Sequence, residues 1–336
     1  MKLFSCPACH QQTFFRNTVC LNCQTALVYD PSIMEMRSLD EDLTPCANRE
    51  MIACNWQAGN GALCESCAAT TMIPDLTIEG NLARWMRIET EKRNLYYRLH
   101  ALGLPRVSKS GKRLHFKFMG DRLAEDGTVA EMVLTGHMDG EITLNIAEAD
   151  DDVREAHRVA MHEPYRTLLG HLRHEVGHFY WELLVREEGR EEECATYFGD
   201  ARQPYGAALQ RHYADGPPED WALSYISPYA TAHPWEDWAE TWAHLLHIIA
   251  GLDTARHNGI DPSGTGFGNA NHLPDAETLV AAWLPLASAM NAMNRSMGLN
   301  DFYPFALPQP VQRKMDYMLH LIRNHATLHQ AVLAGA

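Results

Sequence analysis

The chain has 336 residues, and its 28 Lys plus Arg against 43 Asp plus Glu leave a formal charge of −15, the wrong sign for a surface that grips nucleic acid. With 46% hydrophobic residues it can form a sizeable core, which excludes a disordered chain, and its length suits one large domain plus a smaller one. No apolar run nears the roughly 20 residues that span a bilayer, and the start MKLFSCPACH lacks the apolar stretch and cleavage site of a signal peptide, so a soluble, cytoplasmic protein is expected.

Nine cysteines in a reducing compartment point to metal or free thiols rather than disulfides. Cys6, Cys9, Cys20 and Cys23 form CPAC and CLNC on either side of ten residues. Two such turns aim four thiolates at the corners of one tetrahedron, the arrangement zinc prefers, so residues 1–30 read as a zinc ribbon. Phe14 and Phe15 suit a short hairpin with a small apolar face, and a segment this short folds only with its metal. A thioredoxin-type redox pair would need CxxC at the start of a helix in a βαβ unit, and the flanking sequence has no such pattern. Cys46, Cys54, Cys64 and Cys67 are spaced less regularly and read as a second four-cysteine zinc site within residues 31–75, with Gly59 and Gly61 for turns; the competing reading is cysteines buried as small hydrophobes. Four thiolates leave no open position for water or substrate, so both sites are structural, and the acidic chain makes a protein the expected partner of the ribbon.

The composition changes after Pro74, and residues 76–336 read as one domain. Residues 78–101 place Leu82, Trp85, Met86, Leu95 and Leu99 at helical spacing, closed by GLP. Residues 114–119, 131–137 and 139–146 alternate or run apolar as strands do. The third, DGEITLNI, is either an ordinary sheet strand or the edge of a cleft that pairs with a substrate backbone. From about residue 151 the pattern is nearly all helical, so the fold class is α+β, mainly helical with a small sheet.

In HLRHEVGHFYWELL, His174, Glu175 and His178 make HExxH. Residues four apart share a helix face, so both imidazoles can take one ion, and Glu175 projects where it can accept a proton from zinc-bound water. Pro164 can start this helix, and Leu168, Leu169, Leu172, Val176, Phe179 and Leu183 form its buried stripe. Gly177 costs on the order of 1 kcal/mol relative to Ala in mid-helix, which the close approach of another backbone would explain. With 18 His in the chain the motif can arise by chance, so a third ligand matters. Downstream, Pro234 starts a second helix with Glu236 and Asp237 in its first turn and Glu240, His244 and His247 along one face. Tyr180, Trp181, Trp235, Trp238 and Trp242 read as core before they read as substrate pocket.

HEVGH followed by EDWAE resembles the gluzincin metallopeptidases, in which the two His of HExxH and a Glu from a later helix bind zinc. It is similar to their lethal-factor-like branch, whose later helix carries ExxxE among aromatics and Ala with a Tyr seven residues ahead; Glu236, Trp238, Ala239 and Glu240 supply the pattern and Tyr229 the tyrosine. A ribbon ahead of this catalytic half also resembles a bacterial family of zinc-binding metallopeptidases known mainly from sequence. The resemblance implies a zincin-type domain with His174, His178 and Glu236 on zinc, Glu240 orienting a ligand His, and Tyr229 donating to the oxyanion. Spacing also allows Glu240 as ligand with Glu236 as helper, or His233, His244 or Asp237 in that place. The expected protein is a zinc-dependent peptidase with one catalytic and two structural zinc ions, acting on peptide or protein. The reading from another class is a zinc-stapled interaction protein whose HExxH site is structural or vestigial, closed by His233 or His244.

Overall fold

Tight turns at the cysteines shape the start of the chain in the computed structural model, which describes residues 1–39, 43–59, 61–123, 129–160, 167–262, 264 and 268–334. The chain divides into two units, Met1–Ala101 with Lys112–His157, and Leu102–Gly111 with Arg158–Ala336.

In the first unit, two antiparallel hairpins pair β1 (Phe4–Ser5) with β2 (Gln12–Thr13) and β3 (Leu27–Asp30) with β4 (Glu35–Ser38), followed by the short helices α1 (Arg49–Ile52) and α2 (Glu65–Ala68). Only one of the two expected phenylalanines is core. Phe15 is buried with its ring 4.9 Å from Tyr29 and 5.1 Å from Tyr97, whereas Phe14, which opens the turn closed by the Asn17 amide, is 61% exposed. The predicted helix forms as α3 (Asn81–Ala101) and buries Trp85, Leu95 and Leu99, but Leu82 and Met86 face solvent. In the middle of its inner face stand Ile88 and the fully buried pair Glu89 and Lys92, 3.0 Å apart; the Thr70 hydroxyl donates to Glu89 and the Lys92 ammonium to Thr70, so the charges are paired as burial requires.

The sheet of this unit runs in the order β5 (Thr70–Met72), β6 (His115–Met119), β10 (Glu141–Asn145), β9 (Gly136–Met138), and a separate hairpin pairs β7 (Arg122–Leu123) with β8 (Val129–Glu131). β10 lies parallel to β6, with Glu141 opposite His115, and antiparallel to β9, with Glu141 opposite Met138. Both of its hydrogen-bonding edges are therefore taken, and DGEITLNI is an ordinary inner strand rather than a cleft edge. The expected strand at 131–137 is split between the end of β8 and β9, because the Thr135 hydroxyl and the Val133 carbonyl are drawn into hydrogen bonds with Asn145. The unit ends at His157, within helix α4 (Asp151–Ala160).

The second unit is built from α5 (Leu168–Trp181), α6 (Glu191–Phe198), α7 (Tyr205–Asp215), α8 (Pro234–His257), α9 (Ala276–Ser296) and α10 (Gln309–Ala334). Together the units make an α+β, mainly helical protein. Pro164 lies outside the described residues; α5 is capped by Thr167, whose hydroxyl accepts from the Gly170 amide at 3.0 Å. Leu168, Leu172, Val176, Phe179 and Leu183 are buried as expected. Tyr180, Trp181, Trp238 and Trp242 are core, with Trp242 stacked between Tyr180 at 4.8 Å and Trp238 at 6.0 Å. None of the described helices is long and apolar enough to cross a membrane.

Gly177 marks where α5 and α8 meet. A Cβ there would stand 3.0 Å from Ala239 Cα and 3.3 Å from Ala239 O, and the Trp238 indole donates to the Gly177 carbonyl at 2.9 Å. Since the obstacle is backbone, Gly177→Ala should part the two helices and cost about 1–3 kcal/mol of stability, despite the better helix propensity of Ala. Urea unfolding checks this; a stabilised variant would contradict the tight crossing.

Candidate active site

The two cysteine groups are brought together by local turns. His10 and Gln24 follow the second cysteine of each CxxC with φ of 61° and 60°, and their amides reach back to the carbonyls of Cys6 and Cys20, both at 2.9 Å. Cys6 and Cys23, and Cys9 and Cys20, have sulfurs 3.6 Å apart. In the second group Cys54 is 3.7 Å from both Cys64 and Cys67, and the Cys64 amide donates to Cys46 Sγ at 3.4 Å. Thiolates about 2.3 Å from a tetrahedral zinc are about 3.8 Å from each other, so both sets fit the ion, and the amide donor favours the thiolate form. All nine cysteines are unbridged; Cys194 is buried apart from these groups, and burial pushes its thiol up to about 12, which makes it unreactive.

On α5, His174 and His178 stand one turn apart with ring centroids 4.9 Å from each other. Pro234 opens α8, and its first turn delivers Glu236, whose Oε2 is 3.0 Å from His174 Nε2 and 3.6 Å from His178 Nε2. Ligand atoms about 2.0–2.1 Å from a tetrahedral zinc are about 3.3 Å apart, the mean of these two distances. Glu236 Oε2 is buried and accepts no hydrogen bond, while Oε1 accepts from the Tyr205 hydroxyl at 2.7 Å. A buried carboxylate oxygen without a donor is costly, and a cation held with the two imidazoles relieves it. The donor set thus fits zinc with three protein ligands, the number found in catalytic sites.

Glu240, one turn further, is not in that group. Its Oε1 is 2.7 Å from His174 Nδ1, and its Oε2 accepts from the Ser227 hydroxyl at 2.6 Å. Ser227 Oγ in turn accepts from the Ala230 amide at 3.1 Å, which ties the short 3₁₀ turn Tyr229–Thr231 to Glu240. The Tyr229 ring is 6.0 Å from that of His174. Glu175 is buried with one oxygen 3.3 Å from His171 Nε2, and the Trp235 ring packs 3.9 Å from that of His178. His233, His244 and Asp237 are engaged elsewhere: His233 caps α8 by accepting from the Trp235 amide at 3.0 Å, His244 Nδ1 is 2.9 Å from the Tyr303 hydroxyl, and Asp237 is 2.7 Å from Lys314 Nζ. Tyr205 and Ser227 carry no spacing signal in the sequence, since each arrives from a different element. His171 is four residues ahead of Glu175 and could have been found from helical spacing.

Burial works against ionising Glu236 and Glu240, but the neighbouring imidazoles and the hydroxyls of Tyr205 and Ser227 hold both carboxyls at about 2. Burial likewise opposes a charged His174, and Glu236 and Glu240 together overcome it and raise its pKa well above the usual value. Burial lowers that of His178. The pocket therefore carries a strong negative potential that suits a divalent cation. Burial, reinforced by Glu236, keeps the phenols of Tyr205 and Tyr229 protonated, so both remain donors. A cavity of about 390 Å³ opens beside the Tyr229–Thr231 turn, lined by Phe198, Gln203, Arg211, His212, Thr231 and His233 among others, and not by the His174, His178 and Glu236 group.

Comparison with known proteins agrees with this geometry. A family model described as "Putative zinc-binding metallo-peptidase" matches residues 81–321, and a zinc-ribbon domain model matches residues 3–78. Uncharacterised proteins of Mycobacterium bovis and Mycobacterium tuberculosis are each 43% identical over 325 residues, which cover 95% of this chain and 94% of theirs. No solved structure matches. With two four-cysteine groups, a His174, His178 and Glu236 cluster and a family match over most of its length, the chain belongs to the zinc-binding metallo-peptidase family, preceded by a zinc-ribbon domain.

Proposed function

We propose that the protein is a zinc-dependent peptidase whose catalytic ion is held by His174, His178 and Glu236. The observation that carries this is the buried, donor-free Glu236 Oε2 facing the Nε2 atoms of both histidines, with Glu175 on the same helix as those histidines and Tyr229 in the turn ahead of the helix that carries Glu236. When bound there, zinc would supply Lewis acidity, making water a nucleophile near neutral pH and polarising a carbonyl. Glu240 accepts the Nδ1–H of His174, which fixes the tautomer and leaves the Nε2 lone pair for the ion. Burial disfavours a charged Glu175, but His171 and the two ligand histidines hold its pKa below the usual range, so it begins as a carboxylate. It takes the proton of the attacking water and returns it to the leaving amine. The protonated Tyr229 donates to the oxyanion formed at the scissile carbonyl. Residues 1–30 and 31–75 would be structural zinc modules that dock a protein partner or substrate, ahead of a catalytic domain over 76–336.

The alternative, an interaction protein with a structural HExxH ion, needs a fourth protein ligand, and both candidates for it, His233 and His244, already serve other groups. Peptide hydrolysis that stops on chelation and returns with zinc is the expected behaviour; hydrolysis unaffected by chelation contradicts the proposal. Elemental analysis should find about three zinc ions per chain by ligand count, and Cys20→Ser should remove one while leaving the catalytic ion. Tyr229→Phe should keep all of the zinc and lower kcat by roughly 10²–10³-fold, the usual effect of deleting an oxyanion donor. A variant that turns over as fast as the parent would remove Tyr229 from the mechanism.

A further inference from the structure

The two oxygens of Glu236 have different surroundings. Oε2 faces His174 and His178 and accepts no hydrogen bond, whereas Oε1 accepts from Tyr205 at 2.7 Å. The carboxylate is 1% exposed, so water does not compete for Oε1 as it would at a surface, and this hydroxyl is the donor that satisfies it.

Tyr205 is itself held in place. It is the first residue of α7, its ring meets His233 edge-on at 5.3 Å and Trp235 edge-on at 5.7 Å, and the carbonyl of Gln203, two residues earlier, is 3.2 Å from His233 Nε2. The capping residue of α8 thereby braces the segment that presents Tyr205 to the helix that carries Glu236. We infer that Tyr205 is a positioning residue that confines Glu236 to one ligating oxygen, Oε2, and so keeps a coordination position free for water and substrate. The inference rests on reading His174, His178 and Glu236 as the metal site.

The chemistry of carboxylates supports this division of labour. A carboxylate can bind an ion through one oxygen or both, and a buried one that loses a hydrogen-bond donor on its second oxygen gains by turning that oxygen to the ion. A second bond from Glu236 would occupy the position that a three-ligand catalytic site keeps open.

The test uses the full chain with zinc kept in both cysteine sites, the catalytic site emptied by mild chelation and refilled with cobalt. Tyr205→Phe keeps the ring and removes only the donor. It should weaken the visible d–d absorption of the cobalt, as a higher coordination number does, and lower the affinity of the site for zinc by roughly 10–100-fold in chelator competition. An unchanged far-ultraviolet circular dichroism spectrum reports that the helical unit carrying Tyr205 is folded. A parental cobalt spectrum in Tyr205→Phe overturns the inference, even if affinity falls, because the number of ligating oxygens would then be unchanged. His178→Ala serves as the reference. If it abolishes cobalt uptake at this site while Tyr205→Phe behaves as the parent, only the role of Tyr205 is wrong; if it takes up cobalt unchanged, the metal-site reading fails and the inference with it.

Discussion

Glu175→Gln should leave three zinc ions per chain and lower peptide hydrolysis by roughly 10²–10⁴-fold, the range that a positioned general base contributes. Gln keeps the shape and burial of the side chain, and Glu175 is not among the three clustered donor residues, so the ion should stay. What would be lost is the carboxylate that faces neither the Nε2 atoms of His174 and His178, as Glu236 does, nor the Nδ1 of His174, as Glu240 does. Zinc content and turnover measured on the same preparation decide the matter; a fully loaded variant that cleaves at the parental rate would show that another group takes the proton.

The second large effect separates the two glutamates of EDWAE. Glu236→Ala should lose the catalytic ion under mild chelation, because it removes one of three donors and a buried negative charge that attracts the ion. Glu240→Ala should keep a measurable site with roughly 10–100-fold lower affinity, the cost typical of removing the partner that orients a ligand His. Ser227 links Glu240 to the Tyr229 turn, so Glu240→Ala should also slow turnover in the zinc-loaded state, through displacement of the phenol. Chelator titration with the cysteine-bound zinc subtracted measures both. Loss of the ion from Glu240→Ala alone would exchange the two roles.

The parts of the site that lie along one helix are legible in the sequence, and the parts that depend on packing are not. His174 and His178, and separately Glu236 and Glu240, are related by the fixed pitch of a helix, and each CxxC is a single turn, so spacing suffices to propose these groupings. Gly177 is legible for the same reason: an unfavourable residue in mid-helix calls for a neighbouring backbone, and Ala239 provides it. Tyr205 and Ser227 reach the site from other elements, at distances along the chain that obey no period. Helical spacing in α3 shows which residues share a face but not where that face leaves the core, which is why Leu82 and Met86 are exposed. A strand's alternation likewise shows its two faces and nothing about its edges, so the position of Glu141–Asn145 between two partners had to come from the fold.

The central claim ties hydrolysis to the ion held by two histidines and a glutamate. Four-thiolate sites should retain zinc where a site of two imidazoles and one carboxylate releases it, so mild chelation followed by dialysis should leave about two equivalents per chain. Zinc is then added back in steps while cleavage of a peptide library is followed by mass spectrometry and bound zinc is counted in each sample. Cleavage should be absent at two equivalents and rise in proportion to the third. Full occupancy of the third site without cleavage of any peptide, or cleavage already complete at two equivalents, would contradict the account.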